Sequence, residues 1–130
     1  MNFDAVREAI ASKMVGWTGL ASSHVTYENY TFTPPASGVW CRVTIQNADS
    51  VVACLGDRPH TRDLGAIVIQ IFDKQGTGTK NINQVADSLR DWLEYYKVTG
   101  LELLQGSKQT IGSDGNGFYQ INLRFEYRAG

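Results

Sequence analysis

The chain has 130 residues, with 12 Lys+Arg against 13 Asp+Glu, a formal net charge of −1 and 19% charged residues. A chain of this length suits one domain and buries roughly two-thirds of the surface its unfolded form exposes. Near-neutral charge leaves no electrostatic footprint for nucleic acid or an anionic membrane. The opening MNFDAVREAI carries an acidic residue at once and lacks the apolar stretch of an export signal, and no apolar run approaches the roughly 18 residues of a membrane span. A soluble protein without a secretory route is therefore expected.

Residues 2–14 place Phe3, Val6, Ile10 and Met14 on one helical face, with Arg7, Glu8 and Lys13 off it. Asn2 or Asp4 is positioned to cap this helix. Gly16 and Gly19 end it, and a weak extended piece, HVTYENYTF (24–32), runs to Pro34-Pro35. VWCRVTIQ (39–46) then alternates, Val39, Cys41, Val43 and Ile45 against Trp40, Arg42, Thr44 and Gln46, as a half-buried antiparallel strand does. NADS reads as a turn about Asn47-Ala48, VVACLG (51–56) as the returning strand, and DRPHTRD (57–63) as an exposed connection. GAIVIQIF (65–72) is apolar on both faces and so is expected at the centre of the sheet.

From Thr79 to Lys97 the period becomes helical, with Ile82, Val85, Ala86, Leu89, Trp92, Leu93 and Tyr96 on one side. NINQ (81–84) has capping-box-like spacing. GLELLQG (100–106) and KQTIG read as strands leading to the tight turn SDGNG (113–117). In FYQINLRFEYR (118–128), Tyr119, Ile121, Leu123, Phe125 and Tyr127 form the core-facing set. The order α-β-β-β-β-α-β-β-β defines an α+β fold in a single domain over 1–130: a mostly antiparallel sheet with two helices packed on it.

Cys41 and Cys54 are the only cysteines. Without export, both are expected reduced and buried. A hairpin about Asn47-Ala48 would set them opposite each other, a position with poor disulfide geometry. Neither His24 nor His60 stands at ligand spacing from them, so no metal site is expected.

The stretch DLGAIVIQIFDKQGTGTKN (63–81) orders strand, glycines, lysine and helix as a phosphate-binding loop does. Such a loop needs the lysine directly after the last glycine and a hydroxyl after that. Here Lys80 is two past Gly78 and Asn81 follows it, so the glycines read as a corner between strand and helix. Asp57 and Asp63 near His60 have no nucleophile in their segment, and no G-x-S-x-G elbow exists. Catalytic, cofactor-binding and metal-binding residues are therefore all expected to be absent.

The segments YENYTFTPPASGVWCRVTI and LGDRPHTRDLGAIVIQIFDKQGTGTKNINQVADSLRDWL resemble the tail terminators of long-tailed bacteriophages. The carriers are Tyr27, Asn29, Phe32, Pro34, Pro35, Trp40, Arg62, Gly65, Gln70, Ile71, Phe72, Gly76 and Gly78, and the resemblance extends over roughly 3–127. It implies α+β subunits that close into a homo-hexameric ring on the finished tail tube. Such a ring halts tube growth and offers a surface to head-completion proteins of the neck. The implied partners are further copies of the chain, the tail tube protein and a neck protein, with DNA only passing through. No membrane, catalysis or cofactor is implied, and the location is the virion, with the host cytoplasm during assembly. The contact residues expected on this reading are Asp57, Arg58, His60 and Arg62 in the polar loop, and Lys74, Gln75, Thr77 and Lys80 at the corner. Trp17 and Trp40, at segment edges, are the expected aromatic anchors. A head–tail joining protein at a neighbouring position and a small-molecule-binding α+β domain are the alternatives.

Overall fold

The computed structural model describes residues 2–54 and 60–130. Helix α1 (Phe3–Val15) begins at Asn2, whose Oδ1 accepts from the Ala5 N–H at 2.8 Å. A single 3₁₀ turn (Ser22–His24) leads into β1 (Val25–Tyr27). Two 15-residue strands follow, β2 (Trp40–Cys54) and β3 (His60–Lys74). Then come α2 (Lys80–Leu93), β4 (Lys97–Val98), β5 (Leu101–Ser113) and β6 (Phe118–Ala129). The strands form one sheet in the order β1-β2-β3-β6-β5-β4, antiparallel except for the β1–β2 pair. This is the expected α+β layer, with β3 central.

Both helices lie on one face. Val6, Ile10 and Met14 of α1 and Ile82, Ala86, Leu89 and Leu93 of α2 are buried against Cys41, Val43, Ile67, Ile69, Ile71, Ile121, Leu123, Phe125 and Tyr127. The period of 3.6 on the helices and of 2 on the strands delivers these side chains to one layer. The helices are also joined directly: the Trp92 Nε1–H donates to the Lys13 carbonyl at 2.8 Å, and the Lys13 ammonium lies 3.9 Å from the centre of the Trp92 ring. Phe3 departs from expectation. It is exposed, because the core-facing stripe of α1 begins only at Val6.

The expected hairpin about Asn47-Ala48 does not form. Strand β2 runs straight through it, and the turn-like composition is absorbed as a β-bulge between Asn47 and Ser50. Two expected strands are thus one, as are 100–106 and KQTIG, which join in β5 with irregularities after Leu103 and Thr110. The expected connection 57–63 lies outside the described residues up to position 59, and from His60 onward it is strand. Cys41 consequently pairs with Ile71 and Cys54 with His60, so the two cysteines are not opposed. Cys41 is free and buried, while the side chain of Cys54 lies outside the described residues. Helix α2 starts at Thr79 without a side-chain cap, and the NINQ spacing is not used as one.

Gly65 is required by close approach. A Cβ there would stand 2.4 Å from the Gln46 carbonyl oxygen and 2.6 Å from the Tyr127 ring, so only glycine lets β2, β3 and β6 come together at this row.

Candidate functional site

The expected contact residues fall at two opposite ends of the sheet. Arg62 is near the start of β3, paired with Val51. It lines a cleft of about 240 Å³ with Lys97, Glu102, Arg128 and Gly130. Asp63, beside it in sequence, accepts from the Ser50 hydroxyl at 2.7 Å, and Asp73 further along the strand accepts from the Lys74 N–H at 2.8 Å. Asp57 and Arg58 lie outside the described residues, as does the side chain of His60.

At the other end of β3, Lys74, Gln75, Thr77 and Lys80 are all exposed. The corner they occupy is tied internally. The Thr77 hydroxyl lies 2.7 Å from the Lys74 carbonyl and 3.2 Å from Asp73 Oδ2, the Gln75 N–H donates to the Gly117 carbonyl, and the Gln75 amide meets the Ser113 hydroxyl. Gly76 and Gly78 have φ of 84° and 78°, in the left-handed region that glycine adopts at no steric cost. Arg62 and Lys74 are 12 residues apart on a continuous strand, a separation of roughly 40 Å at about 3.3 Å per residue. The structure therefore places the expected set at two separated ends of β3, not at one site.

The two tryptophans are corrected. Trp17 is 6% and Trp40 3% exposed, so neither offers an anchor to another subunit. Trp17 folds back over α2, its Nε1–H donating to the Ser88 hydroxyl at 3.0 Å. Trp40 lies on the face away from the helices, among Phe32, Phe72 and Phe118. Trp17 sits where a connecting loop folds onto α2 and Trp40 where one folds over the sheet, which a local edge-of-segment reading does not capture.

The sequence reading also missed the exposed apolar surface. Phe3 and Val15 of α1, Tyr30 after β1 and Val51 and Val52 of β2 are exposed. Of these, Val15 and Tyr30 line an open groove of about 970 Å³ between α1 and the edge of β2, with Arg7, Ile10, Tyr27 and Ile45 among its other residues. Val15, apolar at the end of α1 and off its buried stripe, is the one local signal of it.

An α+β chain built on one long-stranded sheet, with helices on one face and polar residues exposed towards both ends of β3, is the class of protein these features define. The chain belongs to the phage tail terminator family, whose profile, described as phage tail terminator protein, matches residues 5–108. It is a tail-associated structural protein. No curated protein matches the sequence. One solved structure, of a protein without a functional name, shares the fold with a TM-score of 0.74 at 22% identity, covering 100% of this chain and 96% of that one. A chain from the virion of a native gene transfer agent particle superposes with a TM-score of 0.48 at 16% identity, over 93% of this chain and 84% of that one.

Proposed function

We propose that this protein caps the end of the phage tail tube as a ring of six identical subunits, halts addition of tube protein, and presents the surface to which the head-completion proteins of the neck attach. The observation that carries this reading, given the family, is the separation of the two polar ends along β3. A terminator has to meet the tube's last ring on one side and a neck protein on the other, and the Arg62 end and the Lys74–Lys80 corner lie at opposite extremes of one rigid strand. Identical subunits in a ring use a heterologous contact, one patch against a different patch of the neighbour, which leaves both ends free for other partners. DNA passes through the ring without specific binding, in keeping with the net charge of −1. On this account the protein resides in the virion, and in the host cytoplasm during assembly.

Purified protein added to polymerising tube protein tests the reading. Growth stops at capped ends, and charge reversal at the corner (Lys74→Glu with Lys80→Glu) or at Arg62→Glu abolishes one attachment, to tube or to neck, while sparing the other. Unchanged tube growth at saturating protein contradicts it.

A further inference from the structure

We propose that adjacent subunits of the ring join by strand addition, β5 of one copy pairing antiparallel with β2 of the next through Thr110–Ile45 and Lys108–Asn47. The inference rests on the ring reading above and names its subunit contact.

Each flank of the sheet ends in a strand that its short neighbour covers only in part. On one side β1 pairs with β2 at Cys41, Arg42 and Val43, and the Glu28 N–H closes on the Val43 carbonyl. Successive residues of a strand turn their N–H and C=O to alternate sides. Val43 faces outward, so Ile45 and Asn47 face outward too, and among the described residues no strand lies beside them. On the other side β4 pairs with Leu101 and Glu102, and Tyr96 receives the Leu103 N–H. The Gly106 N–H then donates to the Glu94 carboxylate at 2.8 Å. Beyond that stop Lys108 and Thr110 face outward, again with no strand beside them among the described residues. Unpaired edges of this kind recruit another strand unless something blocks them.

The two windows agree in direction and register, and each begins beside a carboxylate-bearing residue, Glu28 or Glu94. Strands β2 and β5 run in opposite senses within one sheet, so β5 of one copy beside β2 of the next is antiparallel. Within one subunit the row through Thr110 is Ile121, Ile71 and Cys41. Setting Thr110 against the next copy's Ile45 displaces each copy by four residues, and four long strands, β2, β3, β6 and β5, share that shift. One residue of shear per strand is the ratio of the eight-stranded barrel of shear eight, whose strands tilt about 36°. The pairing is thus one that a closed ring of strands accepts.

Side chains agree with the backbone. Ile45 lines the groove beneath α1, and Lys108 stands on the same helix-bearing face, its ammonium reaching Asn83 of α2 at 2.8 Å. An added β5 therefore brings Lys108 and Thr110 over the groove.

The test uses the full chain on a Cys54→Ser background, in which the remaining native thiol, Cys41, is buried. Single variants Asn47→Cys and Lys108→Cys, both at exposed positions, are treated with a short bismaleimide in the presence of tube ends. Each alone yields no Asn47–Lys108 cross-link, whereas their mixture yields cross-linked dimer, and the double variant yields a ladder that closes at the copy number of the ring. Peptide mapping places the link between positions 47 and 108. Rings seen by electron microscopy that do not cross-link in the mixture overturn the strand pairing and leave the ring reading standing. Absence of any ring on tube ends overturns both. Far-ultraviolet circular dichroism matching the parent confirms that each variant folds, and a variant failing this is replaced by Gln46→Cys with Gln109→Cys, whose cross-link the same register requires.

Discussion

Trp40 lies flat on Phe72, the ring centroids 4.2 Å apart and the planes 14° from parallel, across the β2–β3 register pair that joins the same two residues. Phe32 and Phe118 close the cluster from above and from the side. The Trp40 Nε1–H is buried and without a hydrogen-bond partner. Trp40→Ala is expected to cost about 3–5 kcal/mol of folding stability, the range for deleting a buried aromatic. Trp40→Phe keeps a stacking ring and removes the unpaired donor, so it is expected to cost far less. Urea unfolding followed by circular dichroism measures both. Equal losses would mean that the indole bicycle itself fills space the cluster needs.

Gly65 and Gly76 separate a steric requirement from a conformational one. Gly65→Ala drives a methyl into the Gln46 carbonyl and the Tyr127 ring, and is expected to cost at least about 1–3 kcal/mol as an overpacking change. Gly76→Ala meets no atom within 4 Å, so its cost is the left-handed backbone alone, about 1 kcal/mol. Thermal melts of the two variants side by side check the order.

Burial pushes the Cys41 thiol up to about 12. Thiolate is the reactive form, so Cys41 is expected to resist a thiol reagent in the native protein at pH 8 and to react on unfolding. Peptide mapping of the labelled positions reads this out. Cys41 and Cys54 are also 13 positions apart along one strand, roughly 43 Å at about 3.3 Å per residue. The intact protein under non-reducing conditions should show no intramolecular two-hydrogen deficit.

Glu94 holds the strand stop at Gly106. The Gly106 N–H and then the Arg90 side chain, at 3.0 Å, keep its carboxyl below the usual carboxylate range. A depressed folded value contributes stability that is fully present above the unfolded value, near 4.5, and is lost as pH falls through the folded one. Stability is therefore expected to decline from about pH 4.5 downward, and Glu94→Gln to lower the plateau above pH 6 while flattening the curve below it. Thermal melts between pH 3 and 7 check the sign.

Where a pattern is local, the sequence was legible. The 3.6 period of α2 and the alternation of β6 delivered Ile82, Ala86, Leu89, Ile121, Leu123, Phe125 and Tyr127 to the core as expected. The two-sided apolarity of β3 placed it centrally. The Asn47–Ser50 stretch misled because a bulge and a turn use the same residues, and only pairing with β3 decides between them. Trp17 and Trp40 misled for a similar reason: their burial comes from contacts 71 positions away in one case and from the opposite strand in the other. The free edges at Ile45–Asn47 and Lys108–Thr110 were invisible, since which strands flank which is a property of the assembled sheet.

Electron microscopy of lysates from a phage carrying an amber mutation in this gene tests tube capping most directly. Without the cap, tube subunits retain their own stacking contacts and nothing blocks the terminal ring. Unattached full heads beside tubes of irregular, excessive length are the expected result. Tubes of normal length without heads would point to a head–tail joining protein, and tubes of normal length carrying heads would contradict the terminator reading outright.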